Sequence, residues 1–528
     1  MSGSSGSGGS LFGPVTESPF GIASSASSGY NPQNWLPQMA AAGITWLRGI
    51  QNSEALAKLD IADKNGIKVA GILYYSKDKP AAFPADDLTG WSAYITDLLT
   101  TTKGRVHHWE VWNEPPNFSD DKSPVSYGTI VASAHGAAKA VDPTVQVGLA
   151  AQSVNVNFLD QAIKAGAKGH FDYVTVHPYE VLDLVSDGWE AQFMSIVPTL
   201  HKMLAAQDPD RASAPVWFTE IGTPVQGDVT PAKQAEVVIK AYTMGIAQGA
   251  TRIHWFEGID GDSGPFGLLD GKGQPRPSYT AMKTLITQLG ALPAYQGWVL
   301  LSGQHYGFVF NGPAGPVLVA WAQPKTTVEV SFAGAKVQVI DPSTGQATES
   351  TSLSLTNAPR IVAGIPASLV SEALANHGKP FPWGGDFSQA TSISYVPGNP
   401  QGLHPFGSET LVTIDGDKVR SVADRPALPF TVDPNFLSYT TVPITITAEV
   451  RRNAGSKSAG FNLKYESVSG TKSTGSWNGV PSADTWTTLT WTITDAQFVG
   501  KWGYHFTFDS DSTQNSNYSI RKVTVAKP

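Results

Sequence analysis

Residues 86–112 read DDLTGWSAYITDLLTTTKGRVHHWEVW, and the order of patterns in that stretch decides the fold. Leu88, Trp91, Tyr94, Ile95 and Leu98 recur at spacings of three and four, the period of a helix with one apolar face. A short apolar run over His107–Trp112 follows, the length of a buried strand. The same alternation extends outward in both directions. Further strand-like runs lie at Pro19–Ile22, Ile44–Leu47, Ile67–Tyr74, Val145–Leu149, Tyr173–Val176, Val216–Thr219 and Thr251–Phe256. Amphipathic segments separate them, among them Asn34–Ala42, Ser53–Asn65, Pro231–Gln248 and Pro277–Gly290. The last two open on proline, whose missing N–H is no loss in a first helical turn. Eight strand–helix units in about 270 residues predict an α/β fold, a (β/α)₈ TIM barrel over residues 15–292. The competing reading, a doubly wound open sheet, would show fewer units and a glycine-rich phosphate turn. Neither GxGxxG nor GxxxxGK[ST] occurs.

Beyond Leu292 the helical period gives way to short alternating strands at Tyr306–Phe310, Pro316–Trp321, Thr327–Phe332 and Lys336–Ile340, with a turn at Asp341–Gly345. A small β-sandwich is expected over residues 293–368. From 369 to 528 the chain is rich in Ser, Thr, Asn, Trp and Tyr. Strands at Ile444–Val450, Gly460–Tyr465, Trp486–Thr494, Trp502–Asp509 and Tyr518–Val525 suit a C-terminal β jelly roll of the carbohydrate-binding type. Residues 1–14 read as a flexible Gly/Ser leader or tag, without the basic and apolar regions of a signal peptide.

Composition narrows the classes of function. There is no cysteine, so disulfides, zinc–thiolate sites and thiol nucleophiles are excluded. The net charge of −8, with only 15% of residues charged, lacks the basic stripe of a nucleic-acid binder. Thr284–Gln323 has no Asp, Glu, Lys or Arg, but its glycines and prolines disqualify it as a membrane span. No nucleic-acid or membrane partner is expected. The 52 glycines and 37 prolines call for many turns.

The chemistry sits at strand ends. The fourth strand runs out through Trp112-Asn113-Glu114-Pro115, and the seventh through Thr219-Glu220-Ile221-Gly222. In a barrel these are the ends that face the mouth, and three units apart they face each other across it. Two opposed carboxylates suit glycosidic bond cleavage, where one protonates the leaving oxygen and the other attacks the anomeric carbon or activates water. Repulsion between them should push one pKa upward. Asn113 is placed to bind a sugar hydroxyl beside the reacting carbon. Arg48, ending the second strand, could hold a carboxylate ionised. His177 and Tyr179, ending the sixth, could position the nucleophile or touch substrate, and Trp255 of the eighth could stack on a sugar face. Glu257 and the Asp260–Asp262 loop could bind hydroxyls, with Tyr74 and Tyr75 as weaker candidates. Each alone is as easily an ion pair, a core aromatic or a solvated loop residue. It is their convergence on one mouth that points to catalysis.

The block Trp112-Asn113-Glu114-Pro115, with Thr219-Glu220 three units later, resembles the retaining glycoside hydrolases of clan A. Barrel and β-sandwich together, over roughly residues 15–365, are most similar to family 39, which includes β-xylosidases. The resemblance implies Glu114 as acid/base, Glu220 as nucleophile and Asn113 as the neighbouring sugar-binding amide. It also places Arg48, His177, Tyr179 and Trp255 where clan members often keep supporting residues. A retaining mechanism would set the two carboxyl groups about 5–5.5 Å apart, against about 6.5–9.5 Å for an inverting one.

The expected function is hydrolysis of β-linked oligo- or polysaccharides. Two alternatives stand beside it: a non-catalytic carbohydrate-binding protein on a barrel scaffold, and a transglycosylase using the same site. No cofactor is required, and the one metal the sequence leaves open is a structural calcium in a β-domain. The expected partner is a carbohydrate, and the low charge suits a secreted or periplasmic protein. In the last domain, Trp477, Trp486, Trp491, Trp502 and Tyr504 could include a sugar-stacking platform, although alternation turns several of them toward the core.

Overall fold

The computed structural model describes residues 16–25, 31–50, 56–75, 82–185, 188, 190–301, 305–379, 385–406, 410–423 and 425–528. The Gly/Ser leader expected at 1–14 lies outside them. By internal contacts the chain forms two compact units. The first holds 1–153, 158–189 and 196–379, and the second holds 380–528 with the short segments 154–157 and 190–195.

In the first unit eight strands close a parallel barrel in sequence order: β1 (Phe20–Ala23), β2 (Trp46–Ile50), β3 (Lys68–Leu73), β4 (Val106–Val111), β5 (Gln146–Ala151), β6 (Tyr173–Val176), β7 (Val216–Ile221) and β8 (Ala250–Trp255). Closure is direct, with Gly21 of β1 registered on Trp46 of β2 and on His254 of β8. The helix read from 86–101 spans Leu88–Thr101 and buries Trp91, Ile95, Leu98 and Leu99 against the barrel. Asp87 caps it, its carboxylate accepting from Gly90 N at 3.0 Å. Leu88, assigned to the same face by spacing, is exposed because it lies in the first turn. Pro231 and Pro277 open their helices as expected.

Alternation along the strands fills the barrel in layers two residues apart. Trp46, His108, Tyr173 and Trp217 make an aromatic floor, with Tyr173 and Trp217 stacked at 4.3 Å and His108 5.0 Å from Trp217. Two residues further along each strand come Arg48, Glu110, Thr175 and Thr219, all buried. The next step reaches the mouth. A site built here stands on a filled and rigid base.

The rest of the first unit is a six-stranded antiparallel sheet in the order Ala347–Ser350, Val337–Ile340, Arg360–Ala363, Gly315–Ala320, His305–Gly312 and Ala294–Leu301. A pair of strands, Val328–Ser331 and Ser352–Leu355, completes the small β-domain. Its core gathers Val309, Leu318, Phe332, Leu355 and Val362. A helix that the sequence reading passed over, Ala367–Asn376, packs on it through Ala373. The approach is close enough that a Cβ at Gly297 would lie 1.8 Å from the Ala373 carbonyl oxygen.

The second unit is a jelly-roll-like sandwich of two antiparallel sheets. Tyr518–Ala526 and Ile444–Arg452 centre one sheet, and Phe506–Asp509 and Gly460–Ser467 the other. Phe430, Ile446, Phe461, Phe506, Phe508 and Tyr518 lie between them. Of the five aromatic residues, several of which alternation turns toward the core, Trp491 alone joins this cluster among the described residues. Trp477 is 46% exposed, while Trp486 and Trp502 carry the cations of Arg521 and Lys501 on their rings. No helix among the described residues is long and apolar enough to cross a membrane.

Candidate active site

Glu114 and Glu220 meet at the barrel mouth, with one oxygen of each and a ring nitrogen of His177 all within 4.8 Å of one another. Glu114 follows the end of β4, where Trp112 (φ 69°) and Glu114 (φ 49°) both adopt the left-handed region. Non-glycine residues held there cost on the order of 1–3 kcal/mol each and persist only where surrounding structure fixes them. Here the fixing contacts are identifiable. Trp112 is fully buried with Tyr74 packed on it at 4.3 Å, and Asn117 N donates to the Glu114 carbonyl at 2.6 Å. Glu220 is placed by β7, which can run close to β8 because residue 222 is glycine. A Cβ there would lie 2.1 Å from the Phe256 carbonyl oxygen.

Arg48 organises the layer below. Its Nε donates to Glu110 Oε2 at 2.6 Å, Nη2 to Asn113 Oδ1 at 2.8 Å, and Nη1 to Glu220 Oε1. Glu110 is saturated, its other oxygen accepting from Thr175 Oγ1 at 2.6 Å and Thr219 Oγ1 at 3.1 Å. Burial alone would lower the Arg48 pKa, but the Glu110 and Glu220 carboxylates more than offset it and raise the value. Burial would likewise raise Glu110, and the charge of Arg48 holds it below the usual carboxylate range instead. The guanidinium is therefore a fixed positive charge beneath the mouth.

Above it, the two glutamates have different neighbours. Glu220 Oε2 accepts from Tyr179 OH at 3.0 Å. Burial, followed by the Glu220 charge, pushes the Tyr179 hydroxyl well above its ordinary pKa, so it stays a donor. Glu114 Oε1 lies 2.8 Å from His177 Nδ1, and Oε2 accepts from Asn117 Nδ2 at 3.2 Å. His177 Nε2 lies 3.0 Å from Thr219 Oγ1. The Thr219 hydroxyl spends its proton on Glu110, so it can only accept from His177. Nε2 then carries a proton, and the 2.8 Å contact of Nδ1 with Glu114 Oε1 requires a second proton between imidazole and carboxylate. Burial opposes a charge on the imidazole, but Glu220 and Glu114 outweigh it and raise the His177 pKa.

Repulsion between the glutamates was expected to raise one carboxyl pKa. Glu114 instead falls below the usual range, because the hydrogen bond and charge of His177 outweigh the upward push of burial. The raised imidazole and the lowered carboxyl both favour the His177 side of this bond for the exchangeable proton.

Arg48, Asn113, His177 and Tyr179 thus join the two glutamates in one connected array. Asn113 offers its amide oxygen to Arg48, which leaves the NH₂ for a hydroxyl. Two other candidates lie apart from the open mouth. Trp255 is fully buried, with its indole N–H donating to the Phe266 carbonyl at 3.2 Å, and presents no open face to a sugar. Glu257 is also fully buried and accepts from Ser25 N at 3.1 Å and Gly261 N at 3.0 Å, so it ties down the loop after β8. Asp260 is bound by Arg276 at 2.6 Å. Tyr75 packs on Tyr94 at 5.2 Å. Tyr74 donates to the carbonyl of Phe118 at 3.3 Å, so it supports a 53% exposed aromatic four residues after Glu114.

Sequence reasoning passed over Glu110, Thr175 and Asn117. For Glu110 a signal existed: a carboxylate two residues below the mouth on an otherwise apolar strand needs a buried cation, and Arg48 is the strand-borne candidate. Glu114, His177 and Glu220 also have the spacing of a metal-ligand trio. Arg48 already occupies Glu220 and would repel a dication, so protons and hydrogen bonds satisfy the cluster better.

No protein-family model matches the sequence, and no curated protein matches it. Solved structures do match in shape. One is a family 39 glycoside hydrolase from the gut symbiont Bacteroides cellulosilyticus WH2, at 20% identity and TM-score 0.54, covering 66% of this chain and 80% of that one. The likeness is one of fold. A GH39 β-xylosidase from Caulobacter crescentus matches at 18% identity and TM-score 0.48, over 67% of this chain and 96% of that one. A GH39 enzyme from Xanthomonas axonopodis pv. citri matches at 15% and 0.49, over 67% and 94%.

Proposed function

We propose that this chain is a retaining glycoside hydrolase, with Glu220 as nucleophile and Glu114 as acid/base, acting on β-linked oligo- or polysaccharides. The observation that carries the reading is the approach of the two carboxylates, with oxygens within 4.8 Å, in a mouth where each has a different partner. That separation supports retention, because an inverting pair needs room for a water between its members. The partners support the division of roles. Glu220 is gripped by a permanent cation and a tyrosine hydroxyl, which aim its carboxylate at the anomeric carbon. Glu114 faces a titratable imidazole. Transfer of the Nδ1 proton along that bond gives a carboxylic acid that protonates the leaving oxygen. The bond from Glu220 to the anomeric carbon forms as the glycosidic bond breaks. Glu114, now a carboxylate, then takes a proton from water as that water attacks the anomeric carbon and the bond to Glu220 breaks, and the proton returns to His177 Nδ1. The fold likeness to a family 39 glycoside hydrolase supports the same reading, and carboxylate chemistry of this kind requires no metal or cofactor.

Hydrolysis of aryl β-glycosides, beginning with β-xylosides, tests the proposal. Turnover should vanish in Glu220→Gln while the chain stays folded, and proton NMR should show the β-anomer as the first sugar released. An α-anomer, or undiminished turnover in Glu220→Gln, overturns it.

A further inference from the structure

At one end of the C-terminal sandwich, residues 453–458, 514 and 517 line a shallow, solvent-open depression of about 480 Å³. Its side chains are mainly neutral and polar: Asn453, Ser456, Ser458, Gln514 and Asn517, with Lys457 the one charged group. The walls are held in place from within. Arg452 donates to the carbonyls of Ser456 at 2.6 Å, Lys457 at 2.9 Å and Pro481 at 3.3 Å, fastening the 453–458 turn to the segment that follows Trp477. Asn453 Oδ1 accepts from Ser519 Oγ at 2.7 Å, and Asn517 Nδ2 donates to the Gln514 carbonyl at 3.0 Å. Among the described residues, the Asn453 amide N–H groups, the Asn517 amide oxygen and the Gln514 side chain take no partner.

Trp477 belongs to the same end of the sandwich. It is 46% exposed, and its indole lies on Gly460, where a Cβ would be 2.6 Å from Nε1. Gly460 N donates to the Asn515 carbonyl at 3.0 Å, so the backbone that seats the indole is bonded to the segment carrying Gln514 and Asn517. A large aromatic face is thus kept out of the core at the end of the sandwich that carries the Asn453 and Asn517 amides.

We infer that this end of the sandwich binds neutral carbohydrate chains, with Trp477 as the stacking surface and Asn453, Gln514 and Asn517 as the hydroxyl-binding groups. A sugar hydroxyl both donates and accepts, and a carboxamide offers both functions without charge. The apolar C–H face of a pyranose matches an indole ring. An anionic ligand would call for more cations than Lys457, and an apolar one would leave the amides unpaired. The inference does not depend on the barrel being an active enzyme.

Native gels of the full chain cast with soluble xylan, mixed-linkage β-glucan or galactomannan supply the test. The wild type should be retarded in at least one. Trp477→Ala and Asn517→Ala should bind roughly tenfold or more weakly, as truncation at the centre of a binding site commonly does. Aryl β-glycoside turnover and the thermal midpoint should stay at wild-type values in both. No retardation of the wild type in any of the three gels, or equal retardation of Trp477→Ala and wild type, overturns the inference. Loss of glycosidase activity would bear on the barrel and leave this result intact.

Discussion

His177 Nδ1 lies 2.8 Å from Glu114 Oε1, and the imidazole is raised while the carboxyl is lowered from its ordinary range. The ion pair therefore stabilises the fold only between the two shifted values. It is lost as pH falls through the lowered Glu114 value and as pH rises through the raised His177 value. The proton that chemistry needs belongs to the pair, so the basic limb of activity reports the pair's loss of it. His177→Gln should move the basic limb of kcat/KM to lower pH, because Glu114 then holds the proton unaided. Turnover at neutral pH should fall about 10²-fold or more, within the usual range for general acid catalysis. A pH–rate profile with an unmoved basic limb would falsify the shared proton.

Much of this arrangement was legible in the sequence, because it rests on two short periods. Spacings of three and four gave the helix at 88–101, alternation gave strands with layered interiors, and strand ends brought Glu114, His177, Tyr179 and Glu220 to one mouth. What stayed hidden depends on contacts between distant segments. Trp255 and Glu257 sit at a strand end like the others, yet the loop after β8 folds back and buries both. The helix at 367–376 is short and follows a run of strands, and its docking on Gly297 is a contact between distant segments that no spacing gives. The lowered Glu114 pKa needs the His177 distance, which no spacing gives.

Tyr179 OH donates to Glu220 Oε2 at 3.0 Å. A hydrogen bond to a charged group contributes about 1.5–3 kcal/mol, which is about 10- to 100-fold in rate if it acts at the transition state. Tyr179→Phe removes this bond and leaves the ring. The expected result is a fall of that size in kcat/KM with an unchanged thermal midpoint. A loss under threefold would leave the tyrosine as packing alone.

Arg48 joins Glu110 and Glu220 from a position 2% exposed. Arg48→Met keeps much of the volume but strands two carboxylates, and breaking a buried ion pair costs about 3–5 kcal/mol. Urea unfolding followed by tryptophan fluorescence should show a loss of that order at neutral pH. The wild-type Glu110 carboxyl is lowered, so its contribution is present above the ordinary carboxylate range and fades as pH falls. The gap between wild type and variant should narrow in acid. A gap that is constant with pH would place the cost in packing rather than charge.

Glu466, 7% exposed in the C-terminal sandwich, accepts from the backbone N–H groups of Val499, Gly500 and Lys501, each at 2.8 Å. Burial pushes its carboxyl up to about 7, and the three N–H groups pull it back only in part. A carboxyl raised on folding binds more protons folded than unfolded. Stability therefore falls as pH rises from the ordinary carboxylate value and levels off above about 7. Asp433, which burial also pushes up to about 7, adds a slope of the same sign. In Glu466→Gln one of these titrations disappears, while one amide oxygen still serves two of the N–H groups. The variant should be less stable than wild type in acid, where a protonated Glu466 fits its site. Its thermal midpoint should then decline less between about pH 5 and about pH 7, bringing the two proteins together as pH rises. Parallel pH curves would mean that the Glu466 proton does not follow folding, and the clamp on 499–501 would then act through hydrogen bonds alone.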